Sequence, residues 1–67
     1  MEKIRDFVES ELQMFRDKCN FTHEEMEYFN LRAKDYTNTN IAYKMHISEA
    51  KVSVLSKRVK TKMKKVL

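Results

Sequence analysis

The chain has 67 residues, a formal net charge of +4, one cysteine, and neither glycine nor proline. That length allows one domain with a marginal core, so regular helix packing or a partner subunit has to add stability. One cysteine excludes an internal disulfide and cannot define a zinc site, and a chain without glycine or proline lacks the residues of tight hairpins, which points to an all-α fold.

No apolar run is long enough to span a bilayer and no signal peptide is present, so a reduced, cytoplasmic setting without a membrane partner is expected. The start at Met1 and the absence of a linker lead us to expect a complete protein. The charge is unevenly placed. Residues 1–35 carry six basic against nine acidic side chains, or −3; residues 36–50 cancel; residues 51–67 carry seven basic side chains and no acid, or +7. An acidic scaffold joined to a basic end suits a polyanionic partner.

In chain order, residues 2–19 read as an amphipathic helix. Ile4, Phe7, Val8, Leu12, Phe15 and Cys19 recur at the spacing of one helical face, with Met14 at its border. This stripe is expected to wall the core, with a dimer surface as the alternative. Asn20 can end that helix, since asparagine tolerates the left-handed conformation. Thr22-His23-Glu24-Glu25 reads as a capping box, with Phe21 and Met26 at staple positions. The second helix runs to about Lys34, with Met26, Phe29 and Ala33 on one face and Tyr28 and Leu31 on the other. Apolar on two sides, it is expected between its neighbours.

Thr37 is the expected cap of a third, short helix over Asn38–Met45, with Ile41, Ala42 and Met45 on its apolar side. A break follows at His46-Ile47-Ser48. Ser48 caps a fourth helix, and Glu49 in its first turn complements the helix dipole. Val52, Leu55, Val59, Met63 and Val66 share its inner face. Short helix, tight turn and basic helix make the pattern of a helix-turn-helix whose second helix enters the DNA major groove. The expected architecture is a four-helix helix-turn-helix domain: residues 1–20 as a packing helix and residues 21–67 as the helix-turn-helix unit of a single compact domain.

From Phe21 onward the sequence resembles the DNA-binding domain of LuxR-type regulators and the related fourth region of bacterial sigma factors. The resemblance rests on Thr22 and Glu25, Ala33, Thr37-Asn38 before Ile41-Ala42, Met45, Ile47-Ser48, Val52, Val59 and Lys62-Met63. It covers roughly residues 21–63 without gaps. Asp35 stands where the family usually has glycine; aspartate can hydrogen-bond its own turn and sometimes adopts positive φ, so the turn is expected to survive. Lys51 replaces a common threonine of the recognition helix, and Val54-Leu55 fall where LuxR-type domains place a histidine and many sigma factors an Arg-Leu pair. The family's base readout is therefore not carried over. The chain lacks the receiver or ligand-sensing domain of a full regulator and the other regions of a sigma factor.

On the outer side of the fourth helix, Ala50, Lys51, Ser53, Val54 and Lys57 are the expected base-reading residues. Small residues admit the helix to the groove, lysines can donate to guanine, and Val54 can touch a thymine methyl. Thr37, Asn38, Thr39, Ser48, Arg58, Lys60 and Lys64 are the expected phosphate contacts. Thr61 falls on the same outer side, and Lys65 would add charge for the DNA backbone. No cofactor or metal is expected; Cys19 and His23 are separated by the capping break, and His46 lies in a turn. No nucleophile, base and orienting group converge, so enzyme activity is not expected.

The function this implies is sequence-specific double-stranded DNA binding by a small transcriptional regulator of bacterial or phage type, its recognition helix at about residues 49–65. A homodimer would bind two half-sites, joined through the first helix or through Met63, Val66 and Leu67. The alternative is a sigma-region-like module that binds RNA polymerase or a sigma or anti-sigma partner, with Tyr28, Tyr36 and Tyr43 as exposed anchors.

Overall fold

The computed structural model describes residues 4–67, and every regular element among them is helical. A single 3-10 turn at Ile4–Asp6 leads into α1 (Glu9–Lys18), α2 (His23–Ala33), α3 (Asn38–Met45) and α4 (Glu49–Val66). The all-α class and the bounds of the last three helices agree with the sequence reading.

The first element does not. The helix expected over residues 2–19 is interrupted, and its first two residues lie outside the described ones. Val8 holds an extended backbone (φ −75°, ψ 163°) at the start of α1. The Glu11 carboxylate accepts a hydrogen bond from the Val8 amide at 3.1 Å. A β-branched valine gives up side-chain freedom inside a helix, and Glu11 satisfies its amide outside one. Val8, expected on the inner stripe, is 61% exposed as a result. From Glu9 onward the stripe holds, and Leu12, Phe15 and Cys19 are buried.

The caps explain why the other helices begin where they do. In α2 the Thr22 hydroxyl accepts from the Glu25 amide at 3.3 Å, and Glu25 Oε1 accepts from the Thr22 amide at 3.0 Å. Thr37 caps α3 by accepting from Asn40, and Ser48 caps α4 by accepting from Lys51. Each cap stabilises its helix by roughly 1 kcal/mol.

α2 packs against the N-terminal turn, α3 and α4, and meets α1 through Phe15 and Phe29, which accounts for its two apolar sides. Tyr28 is therefore fully buried rather than an exposed anchor. The four phenylalanines form one connected series. Phe7 meets Phe15 edge-on at 5.0 Å, Phe15 meets Phe29 at 6.3 Å, and Phe29 meets Phe21 at 5.1 Å between centroids. Ile41, Val52, Leu55, Val59 and Met63 close the core from α3 and α4. Met63 is therefore unavailable as a dimer contact; Val66 is half-buried and Leu67 exposed.

Among the described residues, three take positive φ: Asn20 (54°), Asp35 (70°) and His46 (57°). Asn, Asp and His are the non-glycine residues that best tolerate this region, and they make the helix-ending turns here. Asp35 thus occupies the family's glycine position with the backbone that a glycine would give. His46 ends α3 in a left-handed geometry (φ 57°, ψ 43°), and Ile47 donates back to the Ala42 carbonyl at 3.0 Å. Replacing His46 by glycine should relieve the left-handed strain and raise stability by about 0.5–1 kcal/mol after glycine's extra chain entropy. Thermal melting should show it as a rise in Tm of roughly 2–8 °C.

Candidate nucleic-acid interface

The α3–turn–α4 unit presents one surface because α4 is pinned from behind. Val52, Leu55, Ser56, Val59 and Met63 are buried along its inner face. At about 100° per residue, the opposite line of α4 is Ala50, Val54, Lys57 and Thr61, and all four are exposed. Val54 keeps 41% of its surface in water beside the small side chains of Ala50 and Ser53. A ridge that is small at its start and basic further on can enter a groove without steric blockage.

The cations divide to either side of this ridge. Arg58, Lys62 and Lys65 turn toward α2, and with Glu25, Lys57 and Thr61 they line a shallow groove of about 420 Å³. Lys60 and Lys64 turn to the other flank, and both are exposed. Two flanking rows of positive charge suit the two phosphate strands that border a major groove. Thr61 was expected on the outer side of α4 and Lys65 as added charge for the DNA backbone; Glu25 and Lys62 join them in the groove. Their place in the groove depends on how α4 lies against α2, which spacing along α4 alone does not give.

Among the described residues, three side-chain links join α4 to its neighbours. The Thr39 hydroxyl donates to Glu49 Oε1 at 3.0 Å, tying the first turn of α3 to that of α4. Lys51 Nζ lies 3.7 Å from Glu24 Oε1 in the first turn of α2. Lys62 Nζ is bound to Glu25 Oε1 and also donates to the Asn20 carbonyl at 3.2 Å. Glu25 is only 2% exposed. Burial alone would raise its pKa, but the Lys62 hydrogen bond, the Thr22 capping bonds and the Lys62 charge outweigh it and hold the carboxyl below its ordinary value. Burial pushes the nearby Cys19 thiol up, with Lys62 opposing, so this cysteine is a packing group and a poor nucleophile.

The expected site residues fall into distinct groups. Ala50, Ser53, Val54 and Lys57 stand exposed on or beside the ridge. Lys51 is half-buried on the flank, turned toward Glu24. Thr37, Asn38 and Thr39 are exposed at the start of α3, but the Thr37 hydroxyl is used as a cap and the Thr39 hydroxyl is held by Glu49. The Ser48 hydroxyl is likewise a cap, while Arg58, Lys60 and Lys64 are exposed on α4. Glu24 and Glu49 are the charged groups that the sequence reading left out of the interface.

Residues 19–65, from the turn after α1 into the last turn of α4, match the family of bacterial regulatory proteins described as the luxR family. No curated protein and no solved structure matches the chain. The match spans all three helices that build the ridge and its flanks, and the chain belongs to the LuxR family of bacterial regulatory proteins, of which it carries the DNA-binding helix-turn-helix domain.

Proposed function

We propose that this protein is a small transcriptional regulator of bacterial or phage type that reads a specific sequence of double-stranded DNA, with α4 in the major groove. The observation that carries this reading is the exposed Ala50–Val54–Lys57–Thr61 ridge between two rows of cations, over a fully buried inner face. Ala50, Ser53 and Val54 let the helix approach base edges. Lys57, joined by Lys51, donates to guanine, and Val54 meets a thymine methyl. Arg58, Lys60 and Lys64, with the amides and side chains at the start of α3, hold phosphates. The residues before Phe21 act as packing support for this unit. Two copies, joined through Val66 and Leu67 or through α1, would read two half-sites about one helical turn apart. Such a regulator works in the cytoplasm, and no described helix is long and apolar enough to cross a membrane.

One observation favours a second contact. Tyr43 on α3 is 84% exposed. A tyrosine with its ring in water is a ready anchor for RNA polymerase or a sigma-related protein. Tyr43→Ala should then lower regulatory output while leaving DNA affinity unchanged.

The test is fluorescence anisotropy on a randomised duplex pool at two salt concentrations, with sequencing of the bound fraction. Wild type should bind in a salt-sensitive way and enrich a motif. Lys51→Ala/Lys57→Ala should lose roughly 10- to 100-fold in affinity for that motif. Binding without enrichment, or none near physiological salt, rejects the sequence reader and leaves the protein-partner reading.

A further inference from the structure

We propose that Glu24 restrains the DNA affinity of this reader by competing with the duplex for Lys51; the inference rests on the DNA-reading assignment above. Lys51 Nζ and Glu24 Oε1 lie 3.7 Å apart, and both side chains are about half exposed. The pair is therefore open to solvent and to an incoming ligand. The Lys51 backbone is fixed, because its amide donates to the Ser48 hydroxyl at 3.1 Å, so only the side chain is free to change partner.

The neighbouring carboxylate behaves differently. Glu25 is directed inward and compensated by Lys62, whereas Glu24 stays at the rim, on the flank that also carries Arg58 and Lys65. A duplex that approaches α4 brings its phosphates toward this rim. On an arbitrary sequence Lys51 gains only a phosphate, which offers little beyond the carboxylate it already has. Glu24 then withholds a cation from the strand. On the right sequence Lys51 exchanges Glu24 for a base edge, at the same cost of breaking the pair. That cost is common to both duplexes, so the pair lowers affinity without altering the ratio between them. An exposed ion pair of this kind is weak enough to be exchanged without trapping the lysine.

Wild type, Glu24→Gln, Lys51→Met and the double variant are to be compared on the enriched duplex and on a random duplex, at about 50 and 200 mM salt. Glu24→Gln should tighten both the random and the enriched duplex about 2- to 5-fold, and steepen the random-duplex salt slope by up to about 0.9 as one more cation reaches phosphate. None of these changes should appear in the Lys51→Met background. Equal tightening in both backgrounds would overturn the proposal, because the carboxylate would then act by general repulsion and not through Lys51. Unchanged affinity for both duplexes in Glu24→Gln would overturn it too. Wild-type protein that enriches no motif would instead overturn the DNA-reading assignment, and motif selection by wild type keeps the two failures distinct.

Discussion

Lys62→Met is expected to destabilise the fold by about 2–3 kcal/mol at neutral pH, measured by urea unfolding. The loss comes from what is left behind. Glu25 is 2% exposed, and without Lys62 its carboxylate is buried with only its capping bonds for compensation. Breaking a fully buried pair costs about 3–5 kcal/mol; the estimate here is lower because Lys62 itself is partly open to water. Adding Glu25→Gln to Lys62→Met should restore much of the loss, since a neutral amide can still bond the Thr22 amide. Failure of the double variant to recover would mean that Lys62 acts mainly through packing of its stem.

The same pair has a pH signature. In the wild type the folded pKa of Glu25 lies below its ordinary value near 4.5. Its contribution is therefore fully present above that value, and it fades as the pH falls through the lowered folded pKa. In Lys62→Met, burial is no longer outweighed by Lys62, so the sign reverses: protonation relieves the buried charge and the penalty fades on acidification. The stability gap between the two proteins should be widest near neutral pH and close as the pH falls through the lowered folded pKa of Glu25. A gap independent of pH would exclude Glu25 as its source.

Phe29→Ala is expected to cost more, about 3–5 kcal/mol. Phe29 is fully buried and meets both Phe15 and Phe21, so it joins α1, the following turn and α2. A domain of this length has roughly 3–10 kcal/mol of stability to lose. The variant should show a weak or absent cooperative transition near 37 °C by circular dichroism. Phe21→Ala at the half-buried end of the series should melt cooperatively at a lower temperature than the wild type.

The helix-turn-helix was legible in the sequence because its signals are local. Thr22 with Glu25, Thr37 and Ser48 are hydroxyl caps within three residues of their partners, and the inner faces of α3 and α4 repeat at helical spacing. The break at Val8 was not legible, since valine is no cap and the apolar stripe runs through it; the signal present was Glu11 three residues on. Tyr28 was misplaced because an apolar residue on the second side of a helix can face either water or a neighbour, and only the packing of α2 decides. Of the interface, the ridge could be read from the wheel of α4. The Glu24–Lys51, Thr39–Glu49 and Glu25–Lys62 links could not, because each joins helices whose relative placement is a tertiary matter.

The distribution of the core also bears on how the protein is made. Val52, Leu55, Val59 and Met63 all belong to the last helix, and they fill the space left between α1, α2 and α3. On a ribosome the first three helices would wait, half-formed, for the fourth. At about 5–20 residues per second, synthesis of α4 takes on the order of seconds. A small helical domain of mostly local contacts folds in microseconds to milliseconds. Translation, not the search for the fold, sets the moment at which this protein becomes compact, and the segment that completes its interior is the same one that carries the exposed basic ridge.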